Sequence, residues 1–435
     1  MPTIAFKTLG CRLNQFETDS VYAQFFKANY QIVDFDEKAD IYVVNTCTVT
    51  GQSDAKSRRM INQAKRQNPD ALMVVTGCMV SKSDTPLTDI DYLIPNEQKI
   101  SIFSLVDSHL KGELTDTALL ASSKFDFEPA EKTLHTRSFI KIQDGCDNFC
   151  SFCIVPKVRG RAVSRPMNDI LDNIRKVLDF GYREIVLTGV NIGRYDFEQY
   201  NFEVLLSKIL EVQGDFRLRI SSIEPEGIGK AFYEMLSHPK LCPHLHICLQ
   251  SGSDKILTRM ERMYSLGDYL HLIGEIKKRI PDFNFTTDIM VGFPGETEAD
   301  FQQSLEVIRE VGFSHVHTFK YSVREGTKAA GMPDQISEKI KTERSKQVRH
   351  LAEEQKGIYY RSFIGNDQEV LIERILKNGT AKGYGQHFVP CEIKGQGLKV
   401  NEFVRCRVTN MTKIKDGIIL QSDYAKDKQT NNAAN

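Results

Sequence analysis

The 435-residue chain has no tryptophan, no formal net charge and no long uncharged apolar run. The missing tryptophan decides nothing. The balance of 57 basic against 57 acidic residues excludes a global basic field, so any surface for nucleic acid has to be local. Neither a membrane span nor a secretory signal is expected, because no apolar stretch has the length of a span and no apolar h-region lies near the amino terminus. Ten cysteines in such a chain point to a reducing compartment, the cytoplasm, where thiolates serve metals rather than disulfides. The length allows two or three domains, each with its own core.

Three of the cysteines stand together as Cys146-x3-Cys150-x2-Cys153, in the run Lys141-Ile-Gln-Asp-Gly-Cys-Asp-Asn-Phe-Cys-Ser-Phe-Cys. Three closely spaced thiolates can hold an iron–sulfur cluster by three of its irons and leave the fourth to a small molecule. A structural zinc usually recruits four protein ligands, so a zinc knuckle here needs a distant His or Cys. S-adenosylmethionine, through its amino and carboxylate groups, is the candidate for the open iron. The spacing, with Phe152 before the last cysteine, resembles the Cys-x3-Cys-x-aromatic-Cys pattern of the radical S-adenosylmethionine superfamily.

A second set is dispersed: Cys11 in Lys7-Thr-Leu-Gly-Cys-Arg-Leu-Asn, Cys47 in Asn45-Thr-Cys-Thr-Val-Thr and Cys78 in Val74-Val-Thr-Gly-Cys-Met. Each follows an apolar run. Thr3 to Thr8, Asp40 to Asn45 and Ala71 to Thr76 read as short buried strands, the first two followed by helical stretches at Arg12–Ala28 and Ser53–Gln67, which is the alternation of a parallel α/β sheet. Loops at the carboxyl ends of such strands converge on one crevice, so the three cysteines are expected to meet and to hold a second cluster with an open iron. The alternative is three small buried hydrophobes.

Together the two sets resemble the methylthiotransferase family over nearly the whole chain. Thr8-Leu-Gly-Cys-Arg-Leu-Asn-Gln-Phe-Glu-Thr and Asn45-Thr-Cys-Thr-Val-Thr are most similar to its branch acting on N6-threonylcarbamoyladenosine in tRNA. The branch acting on isopentenyladenosine tends to carry Tyr-Gly-Cys-x-Met-Asn and Asn-Thr-Cys-x-Ile-Arg. The resemblance implies two [4Fe-4S] clusters and S-adenosylmethionine as cofactors. It also implies replacement of the adenine C2–H at tRNA position 37, next to the anticodon, by a methylthio group. An anticodon stem-loop is then the partner, with a flavodoxin- or ferredoxin-like electron donor and a sulfur source. Two alternatives keep the chemistry and change the target, to isopentenyladenosine tRNA or a ribosomal-protein aspartate; a third is a zinc-stabilised RNA-binding protein without catalysis.

The family joins an α/β cluster domain, a central radical barrel and a small RNA-binding β-barrel called TRAM. The corresponding α/β organisation here is residues 1–115, 132–335 and 362–426, with a linking helix at 336–361 and a disordered tail at 427–435. A further strand is expected at Asp91–Ile94, and a polar linker from Lys111 to about Glu131. Strands near Phe139–Gln143, Glu184–Thr188, Arg217–Ser221, His244–Leu249, Asn284–Val291 and His315–Tyr321 alternate with helical patterns, giving a partial (βα)6 barrel with reactive groups at the carboxyl ends of its strands.

Thr188, Gly189 and Asn191 in Thr188-Gly-Val-Asn-Ile-Gly stand, by resemblance, where the family binds the amino group of S-adenosylmethionine. Glu224, Gln250 and Val291 follow later strands as further cofactor contacts, beside Phe152; an ordinary strand cap or loop turn is the alternative for each polar one. His244, His246, His315 and His317 alternate along strands and read as structural rather than metal ligands. Cys242, Cys248, Cys391 and Cys406 lack cluster spacing and read as structural. Lys157, Arg159, Arg161 and Arg165 follow the cluster motif, to meet RNA phosphates or a substrate carboxylate, or to form a solvated basic loop. A threonylcarbamoyl group carries a carboxylate, for which Arg159, Arg161 and Arg324 are the candidate partners.

Beyond Gly331, Ser337 to Arg361 reads as a charged helix. From Gln368 onward, short alternating strands with glycine turns read as a small antiparallel barrel. Arg405 and Arg407 share a strand face there and offer charge to RNA, while Tyr384, His387 and Phe388 either stack on bases or fill the barrel interior.

Overall fold

Strands whose residues are buried along their whole length lie between helices in this chain. Ile41–Thr46 and Leu72–Gly77 are six-residue runs with no exposed position, the pattern of a parallel sheet covered on both faces. The computed structural model describes residues 2–81, 87–113, 116–129, 131, 136–415 and 417–424. The expected disordered tail at 427–435 lies outside the described residues.

The amino-terminal body is a parallel sheet of β1 (Thr3–Thr8), β2 (Gln31–Ile32), β3 (Ile41–Thr46), β4 (Leu72–Gly77) and β5 (Tyr92–Ile94), in the order β2-β1-β3-β4-β5. Helices Arg12–Lys27 and Gly51–Gln67 follow β1 and β3 as expected. One apolar cluster covers each face, around Tyr42, Val44 and Met60 on one side and around Val21, Phe25 and Leu105 on the other.

The central body begins at β6 (Arg137–Lys141), followed by a small ribbon of β7 (Gln143–Asp144) with β8 (Val163–Ser164). Then come β9 (Glu184–Thr188), a second ribbon of β10 (Asp196–Phe197) with β11 (Tyr200–Asn201), β12 (Arg217–Ile220) and its short continuation β13 (Ser222–Ile223). Last are β14 (His244–Ile247), β15 (Asn284–Val291) and β16 (His315–Lys320). Pairing is parallel throughout, β6-β9-β12 and then β13-β14-β15-β16, which makes an open barrel. Every second side chain, such as Ile140, Ile185, Leu218, Leu245 and Ile289, packs outward into one large apolar cluster under the helices. The alternate ones face the lumen.

The helix Glu338–Arg361 spans two bodies. Val348 and Leu351 enter the central core, and Tyr360 enters the carboxyl-terminal one. That last body is a closed barrel of β17 (Asp367–Ile375), β18 (Ala381–Gly385), β19 (Pro390–Lys394), β20 (Phe403–Ile414) and β21 (Gly417–Asp423). It is not wholly antiparallel: β21 turns back from β20 and closes the barrel against β19 in parallel. The stretch expected as a polar linker also packs, since Phe127 is buried against Phe16 and Phe139.

Two cysteine sites and the lumen between them

The strand register brings the dispersed cysteines together. Thr8, Asn45 and Thr76 are cross-strand partners on β1, β3 and β4, and each cysteine lies just beyond its strand's carboxyl end. Cys47 and Cys78 are buried and Cys11 is exposed. Asn14 ties two of the loops, its amide donating to the carbonyls of Leu9 at 2.7 Å and Thr46 at 3.0 Å. Gly10, at φ 95°, lets the first loop press on Cys47; a Cβ there would lie 2.9 Å from the Cys47 Cβ and 3.0 Å from its Sγ. Burial pushes the Cys47 and Cys78 thiols up, and neighbouring thiolates would add repulsion. Such a converged set suits a cation that takes thiolates, and Arg159 and Lys99 already favour the charged form of Cys78.

The second set occupies the loop after β7. The Ser151 N–H and hydroxyl donate to the carbonyls of Met260, at 3.0 Å, and Arg259, at 2.9 Å, which fixes the loop on the far wall of the barrel. Burial pushes the Cys153 thiol up to about 12 and raises Cys150 and Cys146 as well. Arg262, which the sequence reading passed over, donates to the Cys150 Sγ at 3.1 Å and pairs with Glu224. Nothing in Arg259-Met-Glu-Arg-Met-Tyr separates that arginine from surface charge. Burial pushes Glu224 up to about 7 even against its Arg262 partner.

Around this loop the expected cofactor contacts divide. Gly189 is needed for packing within the protein, since a Cβ there would meet the Ile192 Cγ2 at 2.7 Å and the Gln143 carbonyl at 2.9 Å. Gln143 Oε1 accepts from the N–H groups of Val190 and Asn191, at 3.0 and 2.9 Å. The Asn191 side chain is buried beside Cys146, where a hydrogen bond to the sulfur favours the thiolate, and its amide oxygen has no partner of the kind a polar ligand supplies. Gln250 holds a left-handed backbone, φ 66°, and is laced to β15 through Asp288 and Met290. The Thr188 carbonyl accepts from Ile142. Phe152 packs edge-on to Phe293. The Val291 side chain is fully buried in the apolar core and its carbonyl accepts from the Tyr321 N–H, which leaves one carbonyl lone pair for a further contact.

Between the two cysteine sites lies a polar lumen. Glu184, Arg217, Arg219, His244, His246, Asn284, Thr286, Asp288 and His317 all come from alternate positions of the barrel strands. His246 bonds Thr286 at 3.0 Å and Asp288 at 3.3 Å, so it is satisfied by neighbours. Among the described residues, His246, Cys248 and Asp288 also form a group with ligand atoms within 4.8 Å of one another. Cys242 is buried in the central body, and Cys391 and Cys406 are buried together in the core of the small barrel.

The candidate partners for a substrate carboxylate are mostly spoken for. Arg159 is buried and bonds Glu17, Asp144 and Asn14, so it is no part of a solvated loop. Arg324 is buried, one Nη donating to the Thr48 carbonyl at 2.6 Å and to Asp54 at 2.7 Å while its Nε is unpartnered. Arg161 is exposed and pairs with Asp147 at 2.7 Å. Arg165 is buried, with Nε and one Nη unpartnered. Lys157 reaches the loop at Gly326.

The carboxyl-terminal barrel caps the amino-terminal end of the lumen. Phe388 stacks with Tyr384 and packs 4.9 Å from His244, while the Arg219 guanidinium lies 4.4 Å over the Phe388 ring. Asn284 donates to the His387 carbonyl, and the His387 ring meets Asp282 at 3.1 Å. Tyr384 and Phe388 therefore dock the small barrel on the central one, whereas the buried His387 ring packs 4.9 Å from Phe363 and bonds Gln368 at 3.2 Å within the small barrel. Arg405 and Arg407 do share a face, exposed, both 3.1 Å from Asp367.

Residues 140–308 match the Radical SAM superfamily, and residues 3–94 match a family described as uncharacterized protein family UPF0004. The chain is 36% identical to the threonylcarbamoyladenosine tRNA methylthiotransferase MtaB of Bacillus subtilis (strain 168), over 94% of each chain. It is 35% identical to the protein of that name from Thermotoga maritima, over 96% of each. It is 32% identical to the tRNA-2-methylthio-N(6)-dimethylallyladenosine synthase of Methylacidiphilum infernorum, over 89% of this chain and 87% of that one. The radical S-adenosylmethionine methyltransferase TsrM of Kitasatospora setae shares the fold, with a TM-score of 0.55 at 14% identity over 76% of this chain and 77% of that one. The chain thus belongs to the methylthiotransferase family of radical S-adenosylmethionine proteins.

Proposed function

We propose that this protein converts N6-threonylcarbamoyladenosine at position 37 of tRNA to its 2-methylthio derivative. The observation that carries this reading is that both cysteine sites border one lumen: Arg12, next to Cys11, lies 5.3 Å over the ring of Phe139 on the inner face of β6. A base entering that lumen meets the loop of Cys146, Cys150 and Cys153 from one side and the loop of Cys11 from the other.

Cys146, Cys150 and Cys153 would hold one [4Fe-4S] cluster and Cys11, Cys47 and Cys78 the other. Bound there with S-adenosylmethionine, these groups supply the electron, the hydrogen-abstracting radical, the sulfur and the methyl group. The chain's own part is positional. Arg262 donates a hydrogen bond to a ligand sulfur, and the unpartnered amide oxygen of Asn191 receives the polar end of the cofactor. Capping by Phe388 and Tyr384 closes the far end of the lumen to water.

The small barrel takes the place of the family's TRAM domain, and its exposed Arg405 and Arg407 would meet the phosphates of the anticodon stem-loop. An electron donor of the flavodoxin or ferredoxin kind and a sulfur source complete the reaction. Among the described residues no helix is long and apolar enough to cross a membrane; a tRNA substrate and thiolates that serve metals support a cytoplasmic location.

Anaerobically reconstituted protein, offered two anticodon stem-loops that differ only in carrying the threonylcarbamoyl or the isopentenyl group, tests the reading. It predicts methylthiolation of the first. Modification of the isopentenyl loop instead would overturn the substrate and leave the radical chemistry standing. Normal thiolation by a Cys47→Ala protein that has lost its second iron complement would overturn the two-cluster arrangement.

A further inference from the structure

Four arginines gather at the amino-terminal end of the lumen, Arg12, Arg137, Arg217 and Arg219, around two carboxylates, Glu184 and Glu373. Two of the four are paired with carboxylates on more than one side or donate to carbonyls as well. Arg217 pairs with Glu184 and donates to the carbonyls of Glu369, at 3.2 Å, and Tyr384, at 2.8 Å. Arg137 pairs with Glu373 and Glu184. The other two are open. Arg219 spends only Nε on Glu184, at 3.1 Å, and both of its Nη atoms are without a partner although the residue is 3% exposed. Among the described residues, neither a hydrogen bond nor an ion pair reaches the Arg12 guanidinium, which is part of an exposed residue, rests on Phe139 and is drawn through space by Glu184 and Tyr384.

A cluster of guanidinium groups with more charge than its carboxylates balance, drawn together in a partly closed space, is costly unless an anion joins it. Cation–π contacts with Phe139 and Phe388 hold the two open groups in place without consuming their N–H donors. The fork of an arginine matches a carboxylate in two hydrogen bonds. We propose that Arg12, with the open edge of Arg219 behind it, receives the carboxylate of the threonylcarbamoyl group and so determines which modified adenosine is accepted. The inference rests on the substrate proposed above and deepens it. Arg12 belongs to the amino-terminal body, so the residue beside a ligand of one cluster reads the substrate held under the other.

The test compares holoenzyme as wild type, Arg12→Gln, Arg12→Lys and Arg219→Gln. The probes are two stem-loops identical except that one carries the threonylcarbamoyl group and the other its carboxamide. Binding is followed by fluorescence anisotropy and single-turnover methylthiolation by mass spectrometry. Wild type is expected to bind the carboxylate loop about 30-fold more tightly than the carboxamide loop. Arg12→Gln brings that ratio close to one, and Arg12→Lys restores part of it. Arg219→Gln lowers it in the same direction and decides the matter if Arg12→Gln fails to load iron. An unchanged ratio in iron-loaded variants overturns the inference. So does an equal loss of affinity for both loops, which assigns Arg12 to a backbone phosphate. Wild type that modifies the threonylcarbamoyl loop without preferring the carboxylate overturns Arg12's role alone, whereas wild type inactive on that loop overturns the functional reading.

Discussion

Arg159 donates to both carboxylate oxygens of Glu17, at 3.1 and 3.2 Å, across the boundary between the two cysteine-bearing bodies. Lys141 joins Glu17 at 2.8 Å and Asp144 at 2.7 Å, Asp144 accepts from Arg159 at 3.0 Å, and Lys99 pairs with Glu17. All five side chains are buried. Three cations to two carboxylates leave one positive charge beside Cys78, which helps to offset thiolates there. The network fixes the spacing of the two sites.

Replacing Glu17 by Gln would leave three buried cations facing Asp144 alone, a loss of roughly 3–5 kcal/mol by the usual cost of breaking a buried pair. Burial alone would raise the Glu17 carboxyl, but Arg159, Lys141 and Lys99 outweigh it and hold it well below the usual carboxylate range. A carboxyl depressed in the folded state stabilises above its unfolded value, and that contribution fades as pH falls through the folded one. Denaturant unfolding at several pH values should show Glu17→Gln less stable at neutral pH and less sensitive to acid. Equal stability at pH 7 would dismiss the network as the weld.

Arg262 donates to the Cys150 sulfur, and a hydrogen bond or a positive charge at a ligand sulfur makes a cluster easier to reduce. Arg262→Met removes both. An anaerobic redox titration followed by electron paramagnetic resonance should place the midpoint of the radical cluster lower than in wild type. A midpoint that stays put or rises would show that Arg262 only packs.

Arg405 and Arg407 stand exposed on one face of the small barrel. If each neutralises a phosphate, the double variant to Ala should bind tRNA more weakly, with a log affinity against log salt slope shallower by about 2. An unaltered slope would place the RNA contact elsewhere.

Much of this was legible locally. Thr3–Thr8, Glu184–Thr188 and Asn284–Val291 have the bounds their apolar runs imply, and the six cluster cysteines sit in short motifs. The first barrel strand was expected at Phe139–Gln143 but runs Arg137–Lys141, because Gln143 and Asp144 leave to pair with β8. Residues defined by distant partners were not legible. Arg159 reads as a loop cation until Glu17 and Asp144 arrive from other segments, and Phe388 reads as a stacking residue until His244 and Arg219 arrive beneath it. Arg12 and Arg262 carry no periodicity or spacing that sets them apart.

The proposed reaction adds the methylthio group to threonylcarbamoyladenosine next to the anticodon. Nucleoside mass spectrometry on tRNA from cells lacking the protein measures this directly. Loss of 2-methylthio-N6-threonylcarbamoyladenosine with accumulation of its unthiolated precursor is expected, restored by the wild-type gene and not by a Cys146→Ala copy. Unchanged 2-methylthio-N6-threonylcarbamoyladenosine, with 2-methylthio-isopentenyladenosine lost in its place, would contradict it.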